Sequence, residues 1–256
     1  MDEKRLFLGI PVIGSWPSSF PDGRLIEEEM RHITLAFFGT TSFERLISLL
    51  SSLPQPPFSM GLAGVGDHIK FFSHVAAAHV TWLEEVDLFS KYYEGVQNWL
   101  KNHRYPVDTR PFLPHITLAR SPFSFHEWKA FFAPIPFYGK SICLYESLGQ
   151  SHYKPLWEIP LPAPFVEIEH TADIAFCIQG KTPRQLLMHA YLALAFKFPA
   201  LLTEKIPDDS THSLDDVIIA LNDIISRADQ TLGVPFKAVS FHGEHQNNQW
   251  TMIVDV

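Results

Sequence analysis

The sequence predicts a mixed α and β protein, α/β or α+β, built as two units. Three observations carry that expectation. Strand-like apolar runs alternate with amphipathic helical stretches from one end to the other. A proline-rich stretch, Pro160-Leu161-Pro162-Ala163-Pro164, interrupts them near residue 160. The charge also divides there: residues 1–164 carry 14 basic and 16 acidic side chains, residues 165–256 carry 6 and 12. Hydrophobic content of 46% with 19% charged residues describes a packed chain rather than a disordered one. We therefore expect a domain over residues 1–160, a linker at 161–164 and a second domain over 165–256.

In the first unit, strands are expected at Arg5–Ile10 and Arg31–Gly39, then a helix at Phe43–Leu53 with Phe43, Leu46, Ile47 and Leu50 on one face. Strands near Phe58–Gly64 and His74–Trp82 precede a helix from Val86 to His103, whose apolar face is Leu88, Tyr92, Val96 and Leu100. A strand at His115–Arg120, a short helix at His126–Phe132 and strands at Ser141–Leu148 and Leu156–Ile159 finish the unit. In the second, strands are expected at Phe165–Ile168 and Asp173–Ile178, followed by a helix opened by Thr182-Pro183 and running to Phe198. The polar stretch Thr203–His212 reads as a loop. A second helix starts at Ser213, whose partner Asp216 makes a capping-box-like pair, and stops before Gly233. Strands at Phe236–Phe241 and Trp250–Val256 follow.

The opening MDEKRLFLGIPVIG reads as a first strand and not a signal peptide, because its apolar stretch is short and broken by Pro11 and Gly14. No apolar run approaches the ~20 residues that span a bilayer. Cys143 and Cys177 stand far apart with no CxxC spacing, so neither a zinc site nor a disulfide framework is implied. A reducing cytoplasm is the expected setting, with no membrane partner. The net charge of −8 argues against a protein that coats nucleic acid, since phosphate neutralisation supplies most of such affinity. An RNA substrate would be held at an end.

The pentapeptide HITLA occurs twice, at His32–Ala36 and His115–Ala119. In a strand, positions i and i+2 share a face, so His32 and Thr34 project together, roughly 7 Å apart, while Ile33 and Leu35 enter the core. His115 and Thr117 repeat the arrangement over Ile116 and Leu118. A single His-x-Thr on a strand is more often structural than catalytic; two copies in one frame reverse that judgement and suggest two similar halves facing one cleft. Opening a cyclic phosphodiester requires one group to take a proton from water and another to protonate the leaving ribose oxygen, and histidine suits both. Threonine hydroxyls can donate to the non-bridging phosphate oxygens. No metal is required. The other histidines of this unit, His68, His74, His79, His103, His126 and His152, have no matching context and read as surface or ordinary core.

The frames RHITLAFFG and LPHITLARS, the opening RLFLGIPV and the late CLYESLGQSHYKPL together resemble the two-histidine (2H) phosphoesterases. The nearest branch is the LigT-like RNA 2′,3′-cyclic phosphodiesterases, once called 2′-5′ RNA ligases. The resemblance covers about residues 4–160. It implies an α+β, bilobal fold of two antiparallel sheets around a central cleft, with hydrolysis of 2′,3′-cyclic phosphate ends to 2′-phosphomonoesters. His32 and His115 would be catalytic, with Thr34, Thr117 and Arg120 on the phosphate. Strict alternation sets Arg120 on the face of Ile116 and Leu118 unless the strand ends or bulges after Leu118. The region His68–Trp82 matches the family poorly, which leaves base recognition open.

The segment FVEIEHTADIAFCIQGKTPRQLLMHAYLALAF, with KAVSFHG and a terminal WTMIVDV, resembles a small archease domain, an activator of RtcB-type tRNA-splicing RNA ligase. The resemblance implies a metal site at Asp173, Asp255 and the terminal carboxylate of Val256, oxygen ligands suited to Ca²⁺ or Mg²⁺. His170 would orient the loop. The strands that normally precede KAVSFHG are missing, so the domain is shortened. Acidic residues Asp208, Asp209, Asp215 and Asp216 read as a solvated face able to meet a basic ligase surface. Two alternatives remain: a non-catalytic RNA-end-binding module joined to a ligase activator, or reversible 2′-5′ ligation at the same site.

Overall fold

A computed structural model describes residues 3–83, 86–171, 173–207, 211–245 and 248–256. Strand β1 (Glu3–Gly14) sends Leu6, Leu8, Ile10 and Val12 into the main core and turns Phe7 and Gly9 to the other face. After a two-residue β2 (Arg24–Leu25), strand β3 (His32–Ser42) runs back antiparallel to β1. Ser42 then caps helix α1 (Phe43–Leu49) by accepting from the Arg45 amide. Strands β4 (Ala63–Phe72) and β5 (Val75–Trp82) form a hairpin, followed by helix α2 (Val86–Asn102), strand β6 (His115–Arg120) and the Ser124-capped helix α3 (Phe125–Phe131). Strands β7 (Ile135–Gly139), β8 (Ser141–Gly149) and β9 (His152–Pro160) complete the first unit.

Among the described residues these nine strands form one antiparallel sheet system of two lobes. One lobe has the order β3-β1-β8-β9, the other β2-β6-β5-β4-β7. They join twice. β7 pairs with the end of β1 at Val12–Gly14, and β3 touches β6 at the single pair Ile33↔Ile116. The two HITLA segments therefore meet antiparallel at their isoleucines. Helices α1 and α2 pack behind the first lobe, and α3 behind β4.

Several expected boundaries move. The strand expected at Phe58–Gly64 begins only at Ala63, because Pro54, Pro56 and Pro57 keep the preceding segment out of the ladder; Phe58 is buried from a loop. Strand β7, with Pro136 inside it, was hidden by the same signal. α1 ends at Leu49 and tightens into a 3₁₀ turn over Leu50–Ser52. The strand expected at Leu156–Ile159 is the end of the longer β9.

The second unit is a sheet of order β10-β11-β13-β12 with two helices packed on it. Its strands are β10 (Phe165–Ile168), β11 (Ile174–Gln179), β12 (Ala238–His245) and β13 (Gln249–Asp255). Helix α4 (Pro183–Lys197) is capped by the Thr182 hydroxyl, and its first turn carries Pro183. A 3₁₀ turn at Pro199–Thr203 lies between α4 and the loop expected at Thr203–His212. Helix α5 (Leu214–Leu232) opens with the reciprocal Ser213–Asp216 capping box and ends at Gly233, whose φ of 63° suits glycine. Asp215 and Asp216 lie in its first turn; Asp208 and Asp209 lie outside the described residues.

α4 buries every side chain from Gln185 to Ala195, because it faces its own sheet and α5 on one side and β4 and β7 of the first unit on the other. Tyr138 of β7 rests against Phe165 and Phe196, each with ring centroids 5.7 Å away. The Ser15 hydroxyl donates to the Phe196 carbonyl at 3.0 Å. The segment Leu161–Pro164 runs against Gly61, where a Cβ would lie 2.8 Å from the Pro164 nitrogen. Glycine is needed there twice over, since its φ is +109°. No helix among the described residues is long and apolar enough to cross a membrane.

Candidate active site

Both histidines of the repeated element are held in the same way. His32 Nδ1 donates to the Met30 carbonyl at 2.8 Å, and His115 Nδ1 donates to the Leu113 carbonyl at 2.8 Å. A carbonyl only accepts, so Nδ1 carries the proton in each ring and Nε2 is the free position. Among the described residues neither Nε2 has a hydrogen-bond partner. Continuing the Ile33↔Ile116 register sets His32 opposite Thr117 and Thr34 opposite His115, so all four side chains share one face.

The backbone repeats as well. Opposite β1 the pairing passes from Gly9↔Thr34 to Leu8↔Ala36, which leaves Leu35 as an extra residue. Opposite β5 it passes from Ala77↔Thr117 to Ala76↔Ala119, which leaves Leu118 extra. Each HITLA segment thus carries a β-bulge at its leucine. The bulge reverses the alternation, and Leu118 and Ala119 are buried in succession. Arg120 comes out on the His115/Thr117 face, which resolves the parity conflict. It reaches the opposite lobe, where its Nε donates to Ser151 Oγ at 2.8 Å. Ser151 sits in the β8–β9 turn with Gln150, both at positive φ, inside the late sequence motif.

In the first half the equivalent position is Phe37, 62% exposed. Sequence reading passed over it, although the repeat itself aligns it with Arg120. The cleft therefore carries a cation on one side and an open aromatic face on the other.

The surroundings of His32 are apolar. Phe7, Tyr145 and Tyr153 place their ring centroids 5.0, 5.6 and 4.9 Å from its imidazole. Gly9 leaves room for the ring, since a Cβ there would lie 3.3 Å from His32 Cδ2 and 3.1 Å from the Ile33 oxygen. Burial pushes the His32 pKa down to about 4; the Met30 carbonyl opposes the shift, and the positive charges of His115 and Arg120 reinforce it. At neutral pH His32 is an uncharged ring with an available Nε2 lone pair.

One neighbour of His115 escaped the sequence reading. His79, expected to be ordinary, is its cross-strand partner on β5, and Phe72 lies 5.1 Å from the His115 ring.

Two curated proteins are similar to part of this chain. An RNA 2′,3′-cyclic phosphodiesterase of Thermotoga maritima is 29% identical over 119 residues, which is 44% of this chain and 61% of that protein. One from Geobacillus stearothermophilus is 32% identical over 114 residues, 42% of this chain and 35% of its own length. The chain thus spans less than two thirds of either curated relative. No family model matches. Among solved structures, a phosphoesterase is 22% identical with a TM-score of 0.46, covering 63% of this chain and 99% of that one. E. coli LigT complexed with 3′-AMP is 22% identical with a TM-score of 0.45, covering 62% and 99%.

In the second unit, the Ile174↔Val254 pairing sets Asp173 opposite Asp255 by continuation of the register. His170 Nδ1 lies 3.8 Å from Asp173 Oδ2, and a cavity of about 490 Å³ is lined by Glu167, Glu169, His170 and Asp173. Lys237 Nζ donates to the Val256 oxygen at 2.6 Å, so a cation already meets that expected ligand.

Proposed function

We propose that residues 1–160 hydrolyse RNA 2′,3′-cyclic phosphate ends to 2′-phosphomonoesters without a metal. The observation that carries this reading is the pair of Nε2 positions left free on one cleft face by matching Nδ1–carbonyl bonds. His32, uncharged at neutral pH, takes a proton from water as the water oxygen bonds to phosphorus. The bond from phosphorus to the 3′-oxygen breaks, and His115, acting in its doubly protonated form, gives its Nε2 proton to that oxygen while Nδ1–H stays on the Leu113 carbonyl. Thr34, Thr117 and Arg120 stabilise the charge on the non-bridging oxygens. Phe37 offers its exposed face to the terminal base. The similarity to two curated phosphodiesterases supports the reaction class. The same attack with a 5′-hydroxyl in place of water, the 3′-oxygen again leaving, would form a 2′-5′ linkage.

The test is hydrolysis of a 2′,3′-cyclic nucleotide. His32→Ala and His115→Ala should each lower kcat/KM by roughly 10²–10⁴-fold, the usual contribution of a positioned acid or base. EDTA should leave the wild-type rate unchanged. Substantial activity in either variant would overturn the two-histidine reading and return the module to RNA-end binding alone.

For residues 165–256 we propose a hard-cation site, Ca²⁺ or Mg²⁺, at Asp173 and Asp255, in a domain that meets an RtcB-type RNA ligase. The facing carboxylates and the acidic cavity beside them support it. Calcium should raise the melting temperature of the wild type but not that of Asp173→Ala. An equal rise in both would remove Asp173 from the site.

A further inference from the structure

We propose that Asp67, His68 and His79 bind a borderline divalent transition-metal ion, Zn²⁺ foremost, on the cleft wall beside His115. These three residues come together because of a bulge. The β4–β5 pairing passes from Gly66↔Val80 to His68↔His79, which leaves Asp67 as an extra residue in β4. A bulge turns consecutive residues toward one face, and here Asp67 and His68 both meet His79. His68 Nδ1 and His79 Nδ1 each lie 2.9 Å from Asp67 Oδ1. The three residues offer ligand atoms that all lie within 4.8 Å of one another. The two imidazoles stack with centroids 4.5 Å apart.

Donor spacing and donor type both suit zinc. At Zn–N and Zn–O lengths of about 2.0–2.2 Å, tetrahedral ligands stand about 3.3 Å apart. The 2.9 Å separations need open by only a few tenths of an ångström to admit the ion. Two imidazoles against one carboxylate favour zinc-class ions over calcium or magnesium, which demand oxygen. The carboxylate is also fixed from behind: Thr81 Oγ1 donates to Asp67 Oδ2 at 2.9 Å, which leaves Oδ1 aimed at the histidines. The remaining positions on the ion would be filled by water. Because His79 is the cross-strand partner of His115, the two side chains leave the sheet on the same face, and an ion held by His79 lies on the His115 side of that sheet.

The competing description is a hydrogen-bonded His–Asp–His cluster that merely stabilises the bulge. Titration of the intact, metal-stripped chain separates the two. Zn²⁺ followed by calorimetry should bind with one tight equivalent, and Co²⁺ should give the visible absorption of a low-symmetry site that Zn²⁺ bleaches. His68→Ala and Asp67→Asn should each weaken binding by roughly tenfold or more, and Thr81→Val by less. Melting curves in metal-free buffer that match wild type show that the variants fold. The His32→Ala/His115→Ala double variant should still bind. Unchanged affinity in His68→Ala and Asp67→Asn would overturn the site, as would absence of binding to the wild type. Loss of binding in the His32/His115 double variant would place the ion on that pair instead.

Discussion

His32 and His115 share a sequence frame, a bulge and a carbonyl partner for Nδ1, yet their surroundings differ. His32 is boxed in by Phe7, Tyr145 and Tyr153, and burial there holds its pKa near 4. A base works only while unprotonated, and His32 gains its proton as pH falls through its own pKa. The acid limb of kcat/KM should therefore lie well below the ordinary histidine value of about 6.5, toward 4. Tyr153→Ala opens the cage to water and should move that limb upward, toward higher pH. A limb fixed near 6.5 in the wild type would contradict His32 as the base. The residues in this argument differ in how visible they were. His32, Thr34, His115 and Thr117 are legible as a repeat because strand periodicity is short and local. Phe7, Tyr145 and Tyr153 come from three other strands, and nothing local in the sequence announces that they converge.

Elements show the same division between local and non-local signals. The caps at Ser42, Ser124, Thr182 and Ser213 are readable because the cap and its partner amide lie three residues apart. The bulges at Leu35, Leu118 and Asp67 are not, since a bulge is defined by the opposite strand. Arg120 showed the cost: alternation alone placed it on the wrong face. Helix α4 lies between these cases. Its apolar run from Leu186 to Phe196 carries no polar stripe, as a helix covered on both sides requires.

His189, at 1% exposure, lies within that run, with Nδ1 donating to the Gln179 carbonyl at 2.6 Å. Burial lowers its pKa to about 4. Between that value and about 6.5 the unfolded chain binds a proton that the folded chain refuses, so stability is full above about 6.5 and is lost as pH falls toward 4. The loss attributable to His189 is roughly 1–3 kcal/mol. His189→Asn keeps the donor but cannot titrate, so its urea midpoint should fall less than that of wild type between pH 7 and pH 5. Equal falls would assign the acid sensitivity elsewhere.

At the scale of the molecule, two hydrophobic cores meet across α4, Tyr138 and the Gly61–Pro164 crossing. Sequence composition marked the proline-rich segment and the acidic bias beyond it, but not how closely the second unit is applied to the first. That closeness depends on Ala63, Tyr138 and Phe196, residues with no distinguishing pattern of their own. Charge then gives the pairing a direction. Most of the net −8 belongs to residues 165–256, a unit whose net charge opposes phosphate, so under the proposed function RNA would meet the first unit as an end rather than a length. The central claim is that this cleft opens a cyclic phosphate by breaking the bond to the 3′-oxygen. Its most direct test is an RNA ending in 2′,3′-cyclic phosphate, incubated with the intact chain in EDTA and read by the position of phosphate in the product. The account predicts a 2′-phosphomonoester from wild type and unreacted cyclic ends from His32→Ala and His115→Ala. A 3′-phosphomonoester, or equal product from wild type and both variants, would contradict it.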